Sequence, residues 1–123
     1  MFNIDKIQDT YSWKIEVEIP NNGQYDKFSL KVKYNRLPHS ERVELLERTP
    51  STEEDVMSFE REMIKKIFAG WEKGQIKDAN GVLEDTPENR AKLLEITEFR
   101  VAVINGYTES TGGNAVKLGN SLG

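Results

Sequence analysis

Two segments that alternate apolar and polar residues flank an Asn-Gly dipeptide, and no other feature of the chain constrains the fold as tightly. In YSWKIEVEIP, Trp13, Ile15, Val17 and Ile19 point one way and Lys14, Glu16 and Glu18 the other, which is the period of a half-buried strand. DKFSLKVKYN repeats the pattern with Phe28, Leu30, Val32 and Tyr34 on its apolar face. Asn22-Gly23 between them predicts a type I′ turn, whose central residues both need positive φ. Centring the turn there sets Val17 against Phe28, Ile15 against Leu30 and Trp13 against Val32. Every apolar pair then falls on one face, while Glu18 meets Lys27 on the other. Lys14 opposite Lys31 is a blemish, softened by Glu16 on the diagonal. A lone hairpin is marginal in water, so its apolar face needs helices.

Helices follow in the sequence. Ser40 is expected to cap a short helix over SERVELLER, with Val43 and Leu46 inward. Pro50 interrupts, and Ser51 or Thr52 then caps a long helix reaching Trp71. Glu53, Glu54 and Asp55 load its first turn, where negative charge suits the helix dipole. Val56, Phe59, Met63, Ile64, Ile67, Phe68 and Trp71 form its apolar stripe. A linker follows, with a short hairpin about Asn80-Gly81. Thr86 caps a third helix over residues 87–96, with Pro87 at its first position. A fourth covers 97–110, with Phe99, Ala102, Val103 and Tyr107 inward. Further strands are expected, if anywhere, from residues 2–10 or 75–84. The expected class is α+β: an N-terminal antiparallel β-hairpin, extended by one or two short strands, against about four α-helices. Residues 1–111 are read as a single domain and 112–123 as a flexible C-terminal tail.

Composition narrows the chemistry. The formal net charge is −4 with both signs interspersed, which argues against a phosphate-tracking nucleic-acid surface. There are no cysteines, so thiolate metal sites and cysteine nucleophiles are excluded. No run approaches the ~20 apolar residues that span a bilayer, and MFNIDKIQDT lacks the features of a secretory signal. A non-membrane, cytoplasmic protein is the expectation. The one histidine, His39, precedes Ser40 and Glu41, but adjacent side chains cannot form a triad, and a helix lead-in explains it better. Asp78-Ala79-Asn80-Gly81 resembles the start of a calcium loop. Counting from Asp78, however, Leu83 and Asn89 stand where Gly and Glu are required, so a turn is the better reading. Gly112-Gly113 follows a helix rather than preceding one and cannot cradle a phosphate. No catalytic residue, metal or cofactor is expected. Met63, Phe68, Trp71 and Tyr107 are read as candidate partner-binding residues, since aromatics and Met are favoured at interfaces. Phe68 and Trp71 are the ones expected to be exposed, and plain core packing is the competing reading.

The order of motifs after the long helix resembles a family. Phe68-Ala69-Gly70-Trp71-Glu72, then Ile76-Lys77-Asp78-Ala79-Asn80-Gly81, is similar to the G-W-x-G-(I/V)-x-D-x-x-G signature of phage tail assembly chaperones, with Lys73 as an added residue. Thr86-Pro87-Glu88-Asn89 leading to Leu93-Leu94, a further helix with Tyr107 near its end, and Gly112-Gly113-Asn114 continue the likeness, as does the leading hairpin with Arg36-Leu37-Pro38. The resemblance spans residues 13–114. It implies a non-enzymatic protein of the bacterial host cytoplasm that binds the tape-measure protein, keeps it soluble and assists assembly of the tail-tube protein, with homo-oligomers allowed. The other readings are a structural component of the tail or head–tail junction, and a small cytosolic enzyme or regulatory subunit with an unrecognised site.

Overall fold

The computed structural model describes residues 1–47 and 51–112. After a single 3-10 turn at Ile4–Lys6 come strands β1 (Thr10–Asn21) and β2 (Gln24–Asn35), then helices α1 (His39–Glu47) and α2 (Glu53–Ile67). Strand β3 (Phe68–Trp71) follows α2 directly. A two-residue ribbon, β4 (Lys77–Asp78) with β5 (Gly81–Val82), leads to helices α3 (Pro87–Leu94) and α4 (Thr97–Ser110). The fold is α+β, a β-hairpin with one added strand packed against four helices.

The hairpin forms in the register that the side chains demand. Val17 pairs with Phe28, Ile15 with Leu30, Trp13 with Val32 and Glu18 with Lys27. Asn22 and Gly23 both hold positive φ, 50° and 84°, as a type I′ turn requires. Lys14 does lie opposite Lys31. Lys27 sits 3.8 Å from both Glu16 and Glu18, so one cation serves two carboxylates on the solvated face.

The apolar face of the hairpin carries the core. Ile15, Val17, Leu30, Val32 and Tyr34 are buried against Ile64 and Ile67 of α2, Phe68 and Trp71 of β3, and Phe99, Ala102, Val103 and Tyr107 of α4. Helix α4 lies along β1. Gly106 makes this close approach possible, since a Cβ there would collide with the Ile15 side chain and the Tyr34 hydroxyl. Arg100 on α4 joins Glu60 on α2 at 3.0 Å, and the Asn35 amide donates to the Lys66 carbonyl at the end of α2. No helix among the described residues is long and apolar enough to cross a membrane.

The boundaries differ from expectation in four places. Helix α1 begins at His39, and the Arg42 N–H reaches the Pro38 carbonyl, so Ser40 sits inside the first turn rather than capping it. Among its described side chains Leu45 is buried and Val43 half-buried. The Leu46 side chain and Pro50 lie outside the described residues, as does the expected tail from residue 113 onward. Helix α2 is capped by the Thr52 hydroxyl, which accepts from the Asp55 N–H, but it ends at Ile67 instead of Trp71. Helix α3 ends at Leu94 rather than 96. Finally, the added strand comes from residues 68–71, not from 2–10, which hold the 3-10 turn and the first residue of β1, while 75–84 contribute a separate ribbon.

Candidate partner-binding groove

Phe68–Trp71 has the spacing of a helix but the surroundings of a strand. Phe68 lies against Tyr34 and Trp71 against Val32, with a bulge between the pairs. Gly70 absorbs the bulge at φ 100°, a value that L residues rarely adopt. The pairing turns both aromatics into the core: Phe68 is 5 % exposed and Trp71 2 %. Their rings lie 6.4 Å apart, and Phe99 meets Phe68 edge-on. The expectation of an exposed Phe68 and Trp71 is therefore corrected. Tyr107 is likewise buried, and Met63 is half-buried against the same cluster. The structure brings Phe68, Trp71 and Tyr107 together as interior, and it does not present them as one surface.

The segment from Gly70 to Arg90 acts as a structural lock. The Trp71 indole N–H donates to the Leu83 carbonyl at 3.1 Å, which pins the returning loop onto β3. Asp85 closes over Gly70, where any Cβ would strike its carboxylate. Arg90 then pairs with Asp85 at 2.5 Å and donates to the Ala69 carbonyl at 3.0 Å. The hydrogen bond to Asp85 and its charge hold the Arg90 guanidinium protonated against the opposing effect of partial burial. The Thr86 hydroxyl accepts from the Asn89 N–H, starting α3 where the docking sequence leaves off. Asp78 accepts from the Asn80 N–H at 2.8 Å, an Asx turn that places the tight turn at Ala79-Asn80, one residue before the expected centre.

The lock leaves part of the hairpin uncovered, and this is the signal that sequence reasoning missed. The hairpin extends about 40 Å at ~3.3 Å per residue, whereas β3 pairs only with Val32 and Tyr34 near its base. Toward the tip, the apolar face borders the α3–α4 corner and the loop at Gln75–Lys77 among the described residues. A groove of about 610 Å³ remains, floored by Val17, Leu30 and Phe99 and walled by Phe28, Leu93 and Ile96. Phe28 is 53 % exposed, and Ile96 is also exposed. Lys77 stands on its rim. Such a trough suits the apolar face of an amphipathic helix, and Lys77 suits one with an acidic flank.

The residues considered for chemistry have structural roles or lie in solvent. His39 is exposed at the start of α1. Asp55 takes part in the cap of α2, receiving a hydrogen bond from Ser51, and Glu53 and Glu54 are exposed beside it. Among the described residues, no three His, Cys, Asp or Glu side chains gather in a way that could hold a metal ion. No protein-family model, curated protein or solved structure matches the chain.

Proposed function

We propose that this chain is a non-enzymatic phage tail assembly chaperone, which binds an amphipathic helix of the tape-measure protein and assists tail-tube assembly. The observation that carries the reading is the apolar groove at the hairpin tip, open beside the lock built from Gly70, Trp71, Asp85 and Thr86. The family resemblance includes Gly70, Trp71 and Thr86 of that lock. Tape-measure proteins as a class, the resemblance implies, present long helices whose apolar faces need cover before the tail is built. A helix laid in the groove would bury Phe28 and Ile96, and its acidic flank would meet Lys77.

Co-expression of the chain with a tape-measure protein, followed by affinity capture of one through a tag on the other, tests the proposal. Co-purification in a complex that Phe28→Ser weakens supports it. Absence of any complex, with both proteins soluble, would defeat it. Finding the chain in purified virions would move it to the structural components of the tail.

A further inference from the structure

We infer that the free edge of β1 takes up an extended basic segment of a partner protein as a further strand. This surface is distinct from the groove, since α4 lies between the two, and the inference does not rest on the tail-assembly reading.

The sheet runs β1-β2-β3, so β1 is an edge along its full 12 residues. Its unpaired groups follow from the turn. In a two-residue hairpin the closing pair, here Asn21 with Gln24, is hydrogen-bonded, and bonded and non-bonded pairs then alternate. Even-numbered residues of β1 therefore turn their N–H and C=O outward. The other edge confirms the parity. Lys31, paired with Lys14, donates its N–H to the Gln75 side chain and accepts from the Glu72 N–H on the side away from β1. Ser12, Lys14, Glu16 and Glu18 thus offer outward main-chain groups, and no main-chain hydrogen bond to them is made from the outer side among the described residues. Pro20, the next even position, has no N–H and ends the run toward the tip.

Open edges are usually blunted, yet this one is lined. Two adjoining clefts of about 260 and 390 Å³ run between β1 and α4 and share Glu16, Ala102 and Asn105. Glu16, Glu18, Glu98 and Glu109 contribute four carboxylates to the seam and Lys14 one ammonium. Lys27 offsets Glu16 and Glu18 in part, whereas Glu98 and Glu109 form no ion pair among the described residues. Val101, exposed, supplies an apolar contact on the α4 side. The fitting occupant alternates small apolar residues, facing α4, with Lys or Arg, facing Glu16 and Glu18. A second copy fits worse, because it would bring its own acidic seam to the same line.

The probe is a synthetic Lys-Val-Lys-Val-Lys-Val-Lys peptide, capped at both ends, with the Glu-Val counterpart as control. The Lys peptide is expected to bind at least ten-fold tighter, to weaken as salt rises, and to slow amide exchange at Ser12, Lys14, Glu16 and Glu18. Lys14→Pro removes one outward N–H that β2 does not use and also removes a positive charge. Charge alone would therefore strengthen binding, so a loss of ten-fold or more would report the main-chain bond. Equal binding of the two peptides, unchanged exchange at the four amides, or a folded Lys14→Pro that binds like the parent would overturn the inference. So would a dimer in sedimentation with those amides already protected, which would give the edge to a second copy. Should Lys14→Pro fail to fold, the exchange map of the unaltered chain decides.

Discussion

The Tyr34 phenol on β2 donates a 2.7 Å hydrogen bond to the main-chain carbonyl of Val103, midway along α4. That carbonyl already accepts the Tyr107 N–H within the helix, so the phenol adds a second bond and ties the helix to the sheet. Tyr34 is fully buried. Burial first, and then the neighbouring Tyr11 and Glu109, raise its pKa far above that of a free tyrosine. Tyr107 shifts the same way, chiefly through burial.

Stability should consequently fall at alkaline pH. Both phenols are held protonated in the fold, while the unfolded chain releases those protons near pH ~10. Their contribution is complete below that value and is lost as pH rises toward the folded-state pKa values. Urea midpoints between pH 8 and 11 should show the decline, and Tyr34→Phe should flatten it at a loss of about 0.5–1.5 kcal/mol near neutrality. An unaltered slope in Tyr34→Phe would mean that other groups dominate.

Gly106→Ala sets two effects against each other. Within a helix, alanine is favoured over glycine by about 1 kcal/mol. Here the added Cβ would lie 2.5 Å from the Tyr34 hydroxyl and closer still to the Ile15 side chain, both of which are buried. Overpacking of this kind typically costs about 1–3 kcal/mol, so net destabilisation is expected in thermal or urea unfolding. A variant as stable as the parent would show that α4 can slide off β1.

The hairpin could be read from the sequence because its information is local. A period of two, a turn dipeptide and a consistent set of facing pairs over-determine its register, and Thr97–Ser110 was legible as a helix for a similar reason. Phe68–Trp71 was not. Ile64, Ile67, Phe68 and Trp71 satisfy helical spacing, and nothing within those residues reveals that Val32 and Tyr34 wait beside them. The decision rests on Gly70, which can hold φ 100°, and on Asp85, fifteen positions later, which needs the space that Gly70 leaves. The groove was hidden for a related cause. Its emptiness follows from how little of the long hairpin β3 covers, a property of three-dimensional reach rather than of any motif.

The two tryptophans should respond differently to substitution. The Trp71 indole bonds the Leu83 carbonyl, so Trp71→Phe forfeits a buried hydrogen bond of about 1 kcal/mol besides volume. Trp71→Ala should cost about 3–5 kcal/mol. The Trp13 indole N–H is buried with no partner among the described residues, a state penalised by about 1–3 kcal/mol. Trp13→Phe relieves that penalty and should stay within about 1 kcal/mol of the parent. Equal losses for Trp71→Phe and Trp13→Phe in urea unfolding would contradict this assignment.

Phe28 separates folding from partner binding. Its ring stands half in solvent on the groove wall, and its cross-strand partner Val17 is itself buried in the core cluster. Phe28→Ser should therefore cost about 1 kcal/mol, roughly half the burial contribution of a phenylalanine side chain, and leave the protein folded. If a tape-measure helix fills the groove, the same ring becomes a buried anchor, and truncating such an anchor commonly removes about 2 kcal/mol of binding, roughly thirty-fold in affinity. Trp71→Ala provides the contrast, since it should lower the unfolding midpoint and reduce capture only in proportion to the folded fraction. Titrating the parent and Phe28→Ser against a tape-measure fragment, with unfolding curves for both, isolates the effect. A folded Phe28→Ser that binds as tightly as the parent would remove the groove from the interface.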